Sequence, residues 1–509
     1  MSEELREVVI YDTRRQDRIP FVPKEKGKVR MYVCGVTVYD LTHIGHARVF
    51  IFFDTVQRFL RHLGYDVTYV RNHTDVDDKI IQRAAEKGVD PLELSAHFIE
   101  ELDRDMGHLG LHRPDLEPKV SDHIDEIIAM VQGLIEKGYA YMSEGDVYYR
   151  VSKFEGYGKL SHRKLEDMEA GRSGRVEETD KKEHPFDFAL WKSSEAGGLG
   201  WDSPFGYGRP GWHIECSAMS MKYLGDTLDI HGGGRDLIFP HHENEIAQSE
   251  AASGCDPFAK YWMHVGMVNV AETTEEGERI ERKMSKSLGN FWTTRDVLQA
   301  YHPEVIRYFM HTTCYRNPIT YAVENLEEAT QRVTYLYKTL KCIDKALAEG
   351  GYNEKNRPEE SPLREEYKEL VESFMDRVES DMSEDFRTPR VLAHIGEAAR
   401  AANELVNKKC EISDKSAFYT LHRLREDLVL ASNLLGFLER DADVALEELN
   451  TLRLRALGID ASKIEEMIAA RKQARADRDW AKADELRDEL DGLGVEIMDS
   501  PEGTTWRIR

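Results

Sequence analysis

Four short stretches carry side chains that could act together on one ligand. "HIGH" (43–46) sets two imidazoles around a glycine where an apolar strand signal gives way to a helical one. His43 and His46 could donate hydrogen bonds to phosphate oxygens as charge builds there, and Gly45 leaves room for a ligand to approach the backbone. "KMSKSLGN" (283–290) puts two lysines and two serines in one loop, suited to a pyrophosphate leaving group, with Lys286 as the main cation and Lys283 beside it. "HGGGRDLIFPHHENE" (231–245) joins three glycines to Asp236, an acid placed to reach a ribose hydroxyl. A helix behind Pro240 would set His241 and Glu245 at i and i+4 on one face, a common half of a zinc site. Cys34 and Cys216 could add two thiolates, completing a donor set that suits Zn²⁺. Blander readings stay open here: a basic surface loop, a surface His/Glu hydrogen bond, and two cysteines buried as small hydrophobes. Spacing does not decide among them, because the four donors are far apart in the chain.

Positioning such residues needs a sheet. "KVRMYVCG" (28–35) reads as a strand and turn, and 46–64 as a helix with Phe50, Phe53, Val56, Phe59, Leu60 and Leu63 at helical spacing and Gly64 as its cap. Residues 66–75 read as a second strand. Strand, helix and strand make a βαβ unit with parallel strands, which places a ligand crevice at the carboxyl end of the first strand, beside Cys34. The fold class expected is α/β: a Rossmann-type parallel-sheet catalytic domain in two halves (1–117 and 203–270), interrupted by an α/β insertion over 118–202. A lysine-loop region (271–324), a helical bundle (325–454) and a small mixed α/β C-terminal domain (455–509) follow.

Composition limits the function classes. A chain of 509 residues exceeds one hydrophobic core, and 41% hydrophobic with 32% charged residues is a soluble, globular balance. No apolar run reaches membrane-spanning length and the first residues lack a signal-peptide pattern, so a cytoplasmic protein is expected. Six scattered cysteines are not a disulfide framework in a chain this size. A net charge of −25 argues against a generally basic coat for nucleic acid, though not against a local basic track. Arg471, Lys472, Arg475 and Arg478 ahead of Trp480 form one such track, with an aromatic that could stack on an unpaired base or, equally, pack into the tail.

In this order and roughly 240 residues apart, "HIGH" and "KMSKS" resemble the paired signatures of class I aminoacyl-tRNA synthetases. With "MYVCGVTVYDLTHIGHAR", "YVRNHTDVDDKII", "GRPGWHIECSAM", "HGGGRDLIFPHHENEIAQSE" and the tail "DWAKADELRDELDGLGVEIMDSPEGTTWR", the likeness is to the cysteinyl-tRNA synthetase family and runs nearly end to end. The resemblance implies one catalytic Zn²⁺ on Cys34, Cys216, His241 and Glu245, with the substrate thiolate as a further ligand. It implies that Gly35 and Thr74 contact the amino acid and that Trp212 closes over it. His231, Gly233 and Asp236 would hold the adenosine, with Gly45 and Lys286 also on the nucleotide.

The implied reaction joins L-cysteine to Mg·ATP, with His43, His46, Lys283 and Lys286 on the phosphates, and transfers the acyl group to tRNA(Cys). The partners are tRNA(Cys), cysteine and ATP, with no membrane, and the chain is expected to be a monomer. An ordinary pocket separates serine from cysteine by only roughly 1–3 kcal/mol. A soft Zn–S bond discriminates further, so the insertion is expected to lack hydrolytic editing. Two other readings are a cysteine ligase acting on a small amine, as in the mycothiol pathway, and a non-catalytic zinc-containing nucleic-acid-binding protein. "NVAETTEEGERIER" departs from the family pattern by being longer and more acidic before the lysine loop.

Overall fold

The computed structural model describes residues 6–163, 181–195, 197–273, 279–284, 291–408, 414–456, 458–500 and 503–508. The chain divides into two compact units, the first comprising 1–294, 310–321 and 375–394, the second 295–309, 322–374 and 395–509.

In the first unit four parallel strands lie in the order Ala259–Val265, Leu228–Gly234, Lys28–Val33, Asp66–Arg71. Met31, Tyr32 and Val33 are fully buried, as expected of a strand covered on both faces. The chain leaves Lys28–Val33 through the helix Ile44–His62 to one neighbour, whereas the other neighbour, Leu228–Gly234, arrives from far along the sequence. That reversal opens a crevice at the strands' carboxyl ends. Phe50, Phe53, Val56, Phe59 and Leu60 are buried with every other residue between 50 and 60, so the helix is covered all round, and Gly64 just past its end takes the left-handed backbone (φ 90°) that glycine adopts without strain.

The insertion is an antiparallel sheet in the order Ala140–Ser143, Asp146–Tyr149, Phe188–Ser193, Gly208–Pro210. It therefore runs to Pro210, past the expected boundary at 202. Its core residues, among them Val131, Val147, Tyr149, Leu190 and Trp191, form one apolar cluster with Tyr32, Cys34 and Cys216. A strap at 157–161 fastens it to the helix Glu243–Ser253: Tyr157 donates to Asn244, Lys159 pairs with Glu250, and the Ser161 N–H donates to Glu243 at 2.7 Å. A hairpin, Val268–Thr273 with Arg279–Lys283, leads to the lysine loop.

The second unit is helical up to its last residues. Val323–Glu349 packs with Lys415–Leu435 and Ala442–Ala456. Buried Glu304 accepts from Tyr337 Oη (2.6 Å) and Leu438 N (3.0 Å), so 295–309 belongs to this unit and not to the lysine-loop region where the sequence put it. Two helices, Ala461–Ala476 and Trp480–Gly492, and the hairpin Val495–Ser500 with Gly503–Ile508 close the chain. Leu454, Ile464, Leu490 and Val495 form their core. Arg471 is buried while Trp480 is 60% exposed, so Arg471 is not part of a surface track and Trp480 is not a packing residue.

Candidate active site and metal centre

The crevice holds a cavity of about 490 Å³. Cys34, Gly35, His43, Gly45, His46, Thr74, Trp212, Cys216, Asp236 and His241 all line it. His231 and Gly233 do not.

Cys34, Cys216, His241 and Glu245 each offer a ligand atom, and these atoms lie within 4.8 Å of one another. Cys34 Sγ is 3.6 Å from Cys216 Sγ and 3.4 Å from Glu245 Oε1, and His241 Nε2 is 3.1 Å from Glu245 Oε1. A tetrahedral ion with bonds of about 2.0–2.3 Å sets its ligands roughly 3.3–3.8 Å apart, so both Cys34 distances fit zinc and the His241–Glu245 distance falls just short of that range. The chemistry fits too. Burial, then the Cys216 thiol and the Glu245 carboxylate, push the Cys34 thiol well above its ordinary range. A divalent cation reverses such crowding and draws the proton off. Burial holds His241 down at about 3, which keeps its imidazole in the neutral form that ligates.

Two neighbours, His213 and Asn72, fix this cluster, and neither was singled out from the sequence. His213 Nδ1 lies 3.0 Å from His241 Nδ1. With His213 also neutral (burial lowers it to about 3), its nitrogen can accept the His241 Nδ1 proton and leave Nε2 facing the other donors. Asn72 Oδ1 accepts the Gly35 N–H at 2.8 Å and its Nδ2 donates to Thr74 Oγ1 at 3.2 Å. A Cβ at Gly35 would stand 1.7 Å from the Asn72 carbonyl oxygen, so only glycine permits this approach. Trp212, 39% exposed, stacks on His241 with ring centres 4.3 Å apart.

His231, assigned by sequence to adenosine, is fully buried instead. Its Nε2 is 3.3 Å from Glu245 Oε2 and 3.5 Å from Cys34 Sγ, and its ring stacks on Trp262 at 4.4 Å. It backs the metal donors. At Gly233 a Cβ would come within 2.9 Å of Leu237 and 3.0 Å of His242, so this glycine serves packing.

His43 caps the helix Ile44–His62. Its Nδ1 accepts from Gly45 N (3.1 Å) and His46 N (3.3 Å), while the His43 N–H donates to His46 Nδ1 at 3.4 Å. The backbone N–H groups of Gly45 and His46 are thus spent on the cap and are not open to a ligand that approaches past Gly45. The same bonds fix the tautomers. With both Nδ1 atoms accepting, the proton of each neutral ring sits on Nε2, giving two stacked donors with centroids 3.6 Å apart at the positive end of a helix dipole.

Behind this helix start Arg48, 1% exposed, donates to the carbonyls of Gly266 (2.9 Å), Met267 (2.7 Å) and Asn317 (2.7 Å). Gly266, Met267 and Val268 are cavity wall. Met284 and Phe291, on either side of the lysine loop, also line the cavity. Lys283 ends the strand Arg279–Lys283, and Lys286 lies outside the described residues.

Residues 20–331 match the family model for the catalytic domain of class I (C) tRNA synthetases. Residues 377–439 match the DALR domain, and 461–507 the cysteinyl-tRNA ligase anticodon binding domain. Among curated proteins, the chain is 48% identical over 503 residues to a cysteine–tRNA ligase of Geobacter metallireducens, covering 98% of this chain and 99% of that one. A cysteine–tRNA ligase of Solidesulfovibrio magneticus is 45% identical over 500 residues at 98% coverage of this chain. Among solved structures, the methionyl-tRNA synthetase of Mycobacterium tuberculosis with methionyl-adenylate superposes with TM-score 0.60 at 18% identity, covering 86% of this chain and 95% of that one. The ternary complex of Agrobacterium radiobacter K84 LeuRS, tRNA and LeuAMS gives 0.55 at 13%, covering 85% of this chain and 86% of that one, and at these identities both speak for the fold alone. A catalytic-domain match over more than half of the chain, with curated relatives alike from end to end, assigns it to the cysteine–tRNA ligase family of class I aminoacyl-tRNA synthetases.

Proposed function

We propose that the chain activates L-cysteine with Mg·ATP and transfers it to the 3′ end of tRNA(Cys), selecting the amino acid through its thiol. The observation that carries this reading is the meeting of Cys34, Cys216, His241 and Glu245 beside the cavity that His43 and His46 also line. Those four donors would hold one Zn²⁺, which when bound would supply a soft site that favours a thiolate over a hydroxyl.

The chain's own residues do the rest by positioning. Trp212, stacked on His241, closes over the amino acid, and Thr74, held by Asn72, orients it. The cysteine carboxylate attacks the α-phosphate, forming the acyl–phosphate bond as pyrophosphate leaves. The two Nε2–H donors of His43 and His46 meet charge developing on the phosphates, while Lys283 and Lys286 hold the leaving pyrophosphate. Asp236 holds the ribose of the nucleotide. A terminal ribose hydroxyl of tRNA then attacks the carbonyl carbon and AMP departs. No protein nucleophile is involved, so proximity and electrostatics supply the acceleration.

Residues 377–439 and 461–507 would serve tRNA, a task that a small-amine ligase does not have. No helix among the described residues is long and apolar enough to cross a membrane. We place the protein in the cytoplasm, as a monomer. Amino-acid-dependent ATP–pyrophosphate exchange, with zinc measured on the same sample, tests the reading. Exchange with cysteine, none with serine, and one zinc per chain are expected; equal exchange with both amino acids would overturn thiol selection.

A further inference from the structure

A second cavity, of about 270 Å³, lies on the other side of the wall that carries Asp236 and Val265. Consecutive residues face the two spaces: Asp236 and Val265 line the reaction cavity, Arg235 and His264 this one. Its polar lining includes Arg235, Arg316, His162, His264, Gln16 and Asn317, and among the described residues no carboxylate lines it. In a chain of net charge −25 that is a local reversal of sign.

The two arginines are held differently. Arg316 lies over the Tyr11 ring at 4.3 Å and its Nε donates to Asp385 Oδ2 at 3.0 Å, so its charge is met and its side chain is fixed as wall. Arg235 is exposed and has no hydrogen-bond or ion-pair partner among the described residues. The rest of the lining is rigid. His264 is bonded on both nitrogens, to Thr13 Oγ1 at 2.8 Å and to His242 Nδ1 at 2.7 Å. Ser161 belongs to the strap that Glu243 fastens to the helix bearing Glu245.

We propose that this cavity is a phosphate subsite, in which Arg235 takes a backbone phosphodiester of the single-stranded acceptor end of tRNA while its terminal ribose reaches the reaction cavity. The inference rests on the aminoacylation reading above. Pockets that enclose a whole small ligand run to about 300–1,000 Å³, so a smaller, open, acid-free space suits one anionic group of a longer molecule. A guanidinium without a partner is the group that pairs with phosphate oxygens. The turn at 235–236 sets Arg235 one residue away from Asp236 on the wall of the reaction cavity, so a strand with its 3′ end in that cavity would have a phosphate within reach of it.

The test compares the full chain with Arg235→Gln and Arg235→Lys. Arg235→Gln should leave cysteine-dependent ATP–pyrophosphate exchange unchanged, raise KM for tRNA roughly fivefold, and make the log–log salt dependence of tRNA binding shallower by about one. Arg235→Lys should recover most of the loss. An unaltered tRNA KM and salt slope would overturn the proposal, as would exchange falling in step with charging. Inorganic phosphate provides the arm for a free anion: if it inhibits exchange by the unmodified chain and not by Arg235→Gln, the cavity serves a small anion and the RNA assignment is wrong. Failure of the unmodified chain to charge tRNA at all would count against the aminoacylation reading itself.

Discussion

Two thiols and a carboxylate buried together repel one another's ionised forms until a cation joins them. His213 Nδ1, 3.0 Å from His241 Nδ1, can accept its proton and thereby fix which nitrogen faces the other donors. His213→Ala should weaken zinc binding about 10–100-fold, read by competition with a chromophoric chelator, because outer partners of metal ligands typically count for that much. An unchanged affinity would show that His241 needs no such partner. A second residue-scale prediction concerns acid. Burial, with Arg71, Lys119 and Arg113 adding, lowers His73 to about 3, below the 6.5 of an unfolded histidine. Between those values the unfolded chain binds a proton that the folded chain refuses, so stability is full above 6.5 and lost as pH falls. His73→Gln should reduce that loss by up to about 1.4 kcal/mol per pH unit, measured by urea unfolding at pH 7 and pH 5. That Cys34, Cys216, His241 and Glu245 meet was an expectation only through the likeness of several short motifs to one family, since the spacing of the four donors left it open. His213 and Asn72 were not legible, since their partners lie 28 and 37 residues away, and only the fold brings them into reach. His231 was misread because Leu228–Gly234 is covered on both faces, so alternation along the strand no longer tells cavity from core.

At the scale of elements, the helix Ile44–His62 starts where it does because His43 satisfies its first N–H groups, a cap that serves the fold and leaves two aligned Nε2–H donors at the cavity wall. Arg48 ties that helix to the cavity wall. Burial lowers it only to about 10, so it stays charged at neutral pH while bonded to three carbonyls. Arg48→Met should orphan those carbonyls at about 1–3 kcal/mol for a buried group, lowering the melting temperature, and should raise KM for ATP more than KM for cysteine. Equal rises in both constants would mean that Arg48 supports the unit in general rather than the nucleotide wall. The strands and helices of the βαβ unit were readable from periodicity, but an arginine inside an apolar helix carries no sign of what it holds. The end of the insertion was unreadable for another reason. Gly208–Pro210 is a three-residue edge strand, too short for alternation to register, and its proline is tolerated because only one neighbour pairs with it.

Across the whole molecule, the matches divide the chain between a catalytic domain at 20–331 and an anticodon binding domain at 461–507, with the DALR match between them. Removing residues 455–509 should weaken tRNA charging while cysteine-dependent pyrophosphate exchange persists; equal loss of both would contradict the division. Composition and periodicity gave an expected order of domains along the chain. Their membership was not legible: 295–309 and 375–394 each join a unit away from their sequence neighbours, and such pairing is set by packing that no local pattern encodes. The burial of Arg471 is a similar case, since a mixed-charge helix gives little hint of which face turns inward. The central claim is that Cys34, Cys216, His241 and Glu245 hold one metal that receives the substrate's sulfur. Its most direct measurement is the absorption spectrum of the cobalt-substituted protein titrated with cysteine and, separately, with serine. The account predicts one cobalt per chain, thiolate-to-cobalt bands before any substrate, and a further rise with cysteine alone; a spectrum that neither amino acid alters, or that serine alters equally, would contradict it.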